Sequence, residues 1–455
     1  MGLVAQRYYE MFKRYGGLPW IDHYITMGES IDMSRMSITR TVDSICRLLD
    51  RAIAMPELPE RNAVNEFGRV NKVALRMLKA RVLLWSASPL FNPEDNQSYY
   101  PSFNKQELIK HETYDKNRWQ EAADACLEAI NAAHGAGYAL YTKYGDPVKD
   151  YKAAVTEFPD IDANGTAKGN PEIIWGTRPA DSYASETYQS GSRVTIWSTL
   201  KQLRGTVGTY LIPLQNMVDK YELRDGSDQP SDYWETTSDP YNNLDRRFNA
   251  TIYHHGYKLG KTVGPFTLDM RMEPAGDQYP AGAQNFTGYY LAKFFDDDYI
   301  AGAGNYPQAF WPYMRLSDLY LMYAEALNEV DYASNSGEIL HYVNLVRNRA
   351  GQPNLEDKPG FQATQAYVRE CIRKERIVEL CYEDQIYFDY KRWKVGDKYI
   401  GGNMYGMKIT GDMENPTFSK FLYETRVWSS KWYLFPLYQT DVLTTNGVLA
   451  QNPGW

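Results

Sequence analysis

Residues 315–330 read RLSDLYLMYAEALNEV, and residues 336–351 read SGEILHYVNLVRNRAG. In the first run Leu316, Leu319, Tyr320, Tyr323, Ala324 and Leu327 recur at three- and four-residue steps, so a helix places them on one face. In the second, Ile339, Leu340, Val343, Val346 and Ala350 form the same kind of stripe, from about Ser336 to Arg349. Gly351 follows where a left-handed C-cap is expected. A third helix is expected to open after Thr364 and to continue past Glu383. Three amphipathic helices in a row point to a mostly α fold.

The third helix carries Glu375, Glu379 and Glu383 four residues apart. Like charges at that spacing repel by roughly 0.2–0.5 kcal/mol per pair, so the row needs cations. Arg373 and Arg376 are local candidates, and Arg347, Arg349, Lys391 and Arg392 lie on neighbouring segments. The row reads as a structural ion-pair network between packed helices. Its rival is a catalytic carboxylate pair, since glycosidases use two carboxyls about 5–9.5 Å apart. One of those must hold a raised pKa, and interleaved arginines push the other way.

Upstream, helices are expected over residues 3–15 (Leu3, Val4, Tyr8, Met11, Phe12 and Tyr15 inward) and from Ser37 or Thr39 to Ile53. Another is expected from Asn71 to about Trp85, with Arg76, Lys79 and Arg81 on its polar side. A fourth runs from Asp115, as N-cap, to Gly135. From 137 to 309 the pattern changes: Gly, Asp, Asn and Pro recur every few residues. Residues 172–175 read as a strand, with Trp175 in the core, and 213–222 as a helix. The rest reads as long loop, which in a compact chain is usually functional or disordered. Its seventeen Tyr and three Trp argue against disorder. Residues 396–411 are Gly-rich and read as loop.

Three ordered segments resemble the SusD/RagB family of outer-membrane nutrient-binding lipoproteins: RLSDLYLMYAEALNE at 315–329, NLVRNRAG at 344–351 and ERIVELCYEDQIYFDYKRW at 375–393. A Gly and an Arg are common in the family where Asp384 and Ile386 stand here, so local turn geometry is the point of departure. The resemblance implies a tetratricopeptide-like helical scaffold with a long loop-rich insertion containing short strands. On that reading, residues 1–136 are the N-terminal part of the scaffold, 137–309 the ligand-binding insertion and 310–455 the C-terminal helical segment of one compact domain. It also implies a lipoprotein of the outer membrane, facing the exterior, that binds oligosaccharide and passes it to a TonB-dependent, SusC-like porin. Family members carry an N-terminal signal peptide and lipidated cysteine. Neither opens this chain, which reads as starting partway into the mature protein.

Net charge is −8, from 49 Lys+Arg and 57 Asp+Glu, which opposes a nucleic-acid partner. Cys46, Cys126, Cys371 and Cys381 read as buried thiols, because Cys371 and Cys381 stand about 15 Å apart along one helix. No run of 18 apolar residues occurs to span a membrane. Gly256–Thr262 falls one residue short of a phosphate loop. The run Asp160, Asp162, Asn164 and Gly165 lacks the glutamate a calcium loop needs at its twelfth position. Asp296, Asp297 and Asp298 read as solvated loop. No catalytic residue, metal ligand or cofactor motif stands out.

Sugar rings present flat C–H faces that pack on aromatic side chains, and their hydroxyls need a few placed polar groups. The expected ligand-binding residues are therefore Tyr183, Tyr188, Trp197 and Trp234 as stacking platforms, with Arg193, Asp232 and Asn242 as hydrogen-bonding partners. A peptide ligand fits the same architecture. A protein-binding helical scaffold would instead show a dominant apolar groove on its helices. A hydrolase would show two convergent carboxyls in a pocket.

Overall fold

The computed structural model describes every residue except 22, 158–159, 162–166, 169, 178–210, 260–265, 273–285 and 295–310. Its longer helices are α1 (Gly2–Tyr15), α2 (Ile38–Ile53), α3 (Lys72–Ala87), α4 (Asn117–Gly135), α5 (Pro147–Thr156), α6 (Leu316–Arg349), α7 (Gln365–Glu379) and α8 (Ile386–Arg392). Four longer strands form two antiparallel pairs: β1 (Ile173–Gly176) with β2 (Pro312–Arg315), and β3 (Gly402–Gly411) with β4 (Pro416–Arg426). The fold is mostly helical, as the periodicity predicts. The scaffold stacks α2 on α3, α3 on α4, α4 on α6 and α6 on α7.

Local chemistry sets the helix boundaries. Ser37, Asn71 and Thr364 cap α2, α3 and α7, each accepting from the backbone N–H three residues on. The two helices read over 315–349 run on as α6, broken at Asp331 (φ −173°, ψ 106°). The Asp331 carboxylate accepts from Ala333 N at 3.1 Å and Ser334 Oγ at 2.6 Å, which restarts the helix. Gly351 is left-handed, with φ +72°.

Several expectations fail for identifiable reasons. α7 stops at Glu379 because Tyr382 and Asp384 take φ of +64° and +61°, a region helices do not use. The position where the family favours glycine is thus a left-handed turn, held here by Asp384. The buried face of α1 is Ala5, Tyr8, Tyr9 and Phe12; Leu3, Val4 and Met11 point outward, 60, 42 and 37% exposed. Arg81 is buried and pairs with Asp318 at 2.7 Å. The helix expected over 213–222 shrinks to Gln215–Val218. The Gly-rich stretch read as loop supplies β3, where Gly406 makes room for a ring: a Cβ there would sit 2.7 Å from Phe421.

The surplus of tyrosine builds a second core. Of the eleven described tyrosines in 137–309, nine are buried. Tyr221, Tyr233, Tyr241, Tyr253, Tyr289 and Tyr290 pack with Trp234, Phe248 and the inner face of the β3–β4 hairpin. Some hydroxyls find partners inside: Tyr233 donates to Pro240 O at 2.6 Å and Tyr289 to Gln215 Oε1, which makes burial of a phenol affordable.

A buried lattice of charge joins this region to the scaffold. Arg315, at the end of β2, donates to Glu172 at 2.7 Å, to Glu379 at 2.6 Å and to Glu383 at 2.8 Å. Arg349 reaches Glu172 and Glu379, and Lys293 reaches Glu383 at 2.7 Å. Arg247 links Asp245, Glu375 and Glu379, while Arg347 and Lys358 meet at Glu222. Six carboxylates thus face six cations. A second set, Arg81, Arg376 and Arg392 with Asp318, Glu325 and Asp389, lies within the scaffold. The structural reading of the glutamate row holds: Arg347 and Arg349 answer it as expected, with Arg247, Arg315 and Lys293 beside them, while Arg376 and Arg392 pair elsewhere. Arg373 pairs with Glu370 instead, and Lys391 makes no ion pair among the described residues.

Two histidines are buried in neutral surroundings. His111 lies between Thr39 Oγ1 and Ser86 Oγ, both at 2.8 Å, and burial, with Arg118, lowers its pKa to about 3. Burial lowers His254 to about 4. Both values lie below the unfolded value near 6.5, so the unfolded chain binds these protons first as pH falls. Stability is therefore full above pH 6.5 and is lost below it, by about 1.4 kcal/mol per pH unit for each histidine. Urea unfolding at pH 7 and 5 is expected to show this loss, and His254→Gln to remove part of it. An unchanged midpoint over that range would contradict both assignments.

Candidate functional site

The β1–β2 ladder positions the candidate site. Its register pairs Ile173 with Arg315, Trp175 with Met314 and Gly176 with Pro312. Beyond it, Thr177 N donates to Trp311 O at 2.9 Å, and Trp311 N to Thr177 Oγ1 at 2.8 Å. Thr177 and Trp311, which border the stretches 178–210 and 295–310 in sequence, therefore stand side by side at one end of this ladder. Arg315 and its glutamates lie at the other end, so the ladder is anchored in the charge lattice.

Described residues at that open end, together with the loop between α2 and α3 that packs along the ladder, form a rim. Trp311 is half-buried and lies 5.1 Å from Phe294, ring to ring. Phe67, on the loop between α2 and α3, presses against Gly176, where a Cβ would sit 3.2 Å from its ring and 2.8 Å from Trp311 O. Glycine is needed there for the close approach. Trp175 donates from Nε1 to Gly68 O at 3.0 Å, which ties the same loop to the ladder. Arg61 stacks over Tyr138 at 4.3 Å and donates to Gly137 O at 2.9 Å. Arg69 stands out with its side chain 75% exposed, beside Glu66 at 3.2 Å. Asn62 braces the loop by donating to Arg69 O at 2.6 Å. The rim thus offers half-buried ring surface beside fixed donors, the pairing that sugar recognition requires.

The sequence-predicted residues divide. Tyr183, Tyr188, Arg193 and Trp197 lie outside the described residues. Trp234 is not a platform: it is 3% exposed, has Tyr233, Tyr241 and Phe418 rings against it, and donates from Nε1 to Gln229 at 3.1 Å. Asp232 and Asn242 are exposed, and Asn242 Oδ1 accepts from Arg224 at 3.2 Å. Among the described residues, no hydrogen bond or ring contact brings either to the rim. Sequence reasoning missed Arg61, Phe67, Arg69 and Trp311. The available signal was position, since both flanks of a loop-bearing strand pair are natural places for binding groups.

The rival readings meet contrary geometry. The cleft of about 510 Å³ between α2, α3 and α4 is lined by Asp43, Asp50, Asp115, Glu121, Asp124 and Glu128 and by no Phe, Tyr or Trp, which is not an apolar groove. Glu172, Glu222, Glu325 and Glu379 are held ionised. Burial alone would raise Glu379, yet Arg349, Arg315 and Arg247 bring it well below the usual range. Burial likewise opposes Arg392 and Arg376 at Glu325, which still falls to about 2. Neither can act as an acid near neutral pH. Among the described carboxyls with a resolved shift, Asp384 alone is raised, by burial against the pull of Lys13 and Arg14. All four cysteines are free.

The model of the SusD family matches residues 171–455. SusD-like protein P2 of Formosa agariphila is 28% identical over 170 residues. That match covers 36% of this chain and 30% of the relative, so the chain spans under a third of that protein's length. A SusD-like protein of Bacteroides fragilis, solved by crystallography, superposes with a TM-score of 0.76 at 25% identity, over all of this chain and 78% of its own. A SusD-like carbohydrate-binding protein of the same species shares the fold, with a TM-score of 0.69 at 18% identity over 97% of this chain and 77% of its own.

Proposed function

The chain belongs to the SusD family, and from that premise we propose that it captures oligosaccharides at the cell surface and passes them to a TonB-dependent, SusC-like porin in the outer membrane. It binds and breaks no bond. An N-terminal lipid anchor holds it to the membrane, facing the exterior. The observation that carries the reading is the rim at the open end of β1–β2, where Trp311 and Phe67 offer ring surface, with Arg61 and Arg69 on the same loop as Phe67. A sugar's axial hydrogens pack on the rings while its hydroxyls accept from the guanidinium groups. Tyr183, Tyr188, Arg193 and Trp197 belong to the stretch that follows Thr177, so we assign them to the same site. The carbohydrate-binding neighbour from Bacteroides fragilis supports the ligand class.

A panel of polysaccharides and peptides in affinity electrophoresis tests this. At least one glycan is expected to retard the protein without releasing reducing ends. Trp311→Ala is expected to weaken that glycan roughly five- to tenfold, as loss of about 1–1.5 kcal/mol of ring contact implies. The exposed Arg69→Ala controls for a folding defect and is expected to weaken it too. Capture of peptides and of no glycan would overturn the ligand class.

A further inference from the structure

In a chain of net charge −8, two ammonium groups converge on one ring without a counter-ion among the described residues. Lys220 Nζ lies 4.4 Å from the centroid of Tyr399, and Lys398 Nζ lies 4.9 Å from it. Tyr399 stacks on Tyr390 at 4.8 Å and 20°. Tyr390 in turn meets Trp393 at 6.4 Å, and Arg373 lies over Trp393 at 5.1 Å. This ladder of rings fixes where the two lysines stand.

The neighbouring carboxylates are already engaged. Asp219 pairs with Lys420 at 3.0 Å, Glu370 with Arg373 at 3.0 Å, and Asp228 with Lys374 and Lys358. Neither Lys220 nor Lys398 forms an ion pair with a described residue. Lys220 is half-buried, and burial followed by repulsion from Lys398 and Lys374 lowers its pKa despite Asp219 and Glu370. A ring quadrupole offsets only part of such a charge, about 0.5–1 kcal/mol at an exposed site. Two ammoniums held together with their natural partners taken make a place for an anion.

We infer that Lys220 and Lys398, set on the Tyr399 ring, form a site for an oxyanion: a sulfate ester or a uronate carboxylate carried by the captured glycan. This rests on the glycan-capture reading and adds to it the charge class of the ligand. The site needs no base and no metal, since the ammonium protons donate directly to the anion's oxygens.

The test uses the full chain in calorimetric titrations with dextran sulfate, polygalacturonate, unmodified dextran and inorganic sulfate. The wild-type protein is expected to bind at least one charged probe roughly tenfold or more tighter than neutral dextran at low salt, with affinity falling as salt rises. Lys220→Gln with Lys398→Gln is expected to lose that preference, and Lys220→Arg with Lys398→Arg to keep it, since charge persists. Preference for dextran sulfate assigns the sulfate ester, preference for polygalacturonate the uronate, and binding of inorganic sulfate alone a free anion. The inference is overturned if the glutamine variant binds charged probes as tightly as wild type, or if wild type does not discriminate charge. Retardation by neutral glycans through the Trp311 rim is independent of both lysines. It separates failure here from failure of the capture reading.

Discussion

Arg315→Ala leaves the chain unfolded, or less stable by about 3–5 kcal/mol, in urea denaturation followed by far-ultraviolet circular dichroism. Arg315 is 1% exposed. Its guanidinium donates to Glu172, Glu379 and Glu383 and also to Glu379 O at 2.7 Å. Truncation removes one of six cations and strands three buried carboxylates with the remaining five. Their repulsion has no water to screen it. The size of the loss measures the stranded charge and not the net worth of the pairs, which could equally be replaced by apolar packing. Arg315→Lys keeps the charge and loses the planar fork, so an intermediate loss is expected. A change under about 1 kcal/mol in the alanine variant would refute the lattice as a structural seam.

The opposite sign is expected at Lys391. Its amine is buried on α8, 3.9 Å from the centroid of Phe435 and 4.7 Å from that of Tyr387, with no hydrogen-bond partner among the described residues. Burial, aided by Arg14, lowers its pKa to about 7. The unfolded amine stays charged to about pH 10.4. Between those values unfolding takes up a proton, so wild-type stability rises with pH by about 1.4 kcal/mol per unit. Below pH 7 both states are charged and the full cost of the buried ammonium stands. Lys391→Met, which fills the same space without charge, is expected to be more stable by about 2–4 kcal/mol at pH 7. The difference is expected to shrink toward pH 10. A gain that does not vary with pH, or no gain, would contradict the assignment.

How far these features could be read from sequence depends on the range of the interactions behind them. The stripe from Leu316 to Leu327 obeys a local period, and it is buried as read. The glutamate row was equally local, and so was its need for cations. Which cations answer was not, because Arg247 and Lys293 lie far away in sequence, on the insertion. The α1 face was misread because Tyr8 and Tyr9 are adjacent and two overlapping stripes fit. The hairpin was hidden by glycine. Gly406 is there for the Phe421 ring across the ladder, and no pattern within 402–411 announces a ring fifteen residues on. Trp234 lies in a stretch that reads as long loop and so as a place for a stacking platform, but its partners Tyr241 and Phe418 come from separate segments. At the rim, Phe67 and Trp311 meet over Gly176 through the fold alone, and each is unremarkable in its own stretch.

The short ladder from Ile173 to Gly176 has a consequence for how such a chain diversifies. Its foundation is electrically self-contained: acids and bases below Arg315 cancel one another and ask nothing of what is built above. Lengthening, shortening or rewriting the thirty-odd positions after Thr177 removes none of the twelve charged residues of that lattice. Descendants of one ancestral gene can therefore rewrite that stretch and still inherit the whole set of paired charges beneath the ladder.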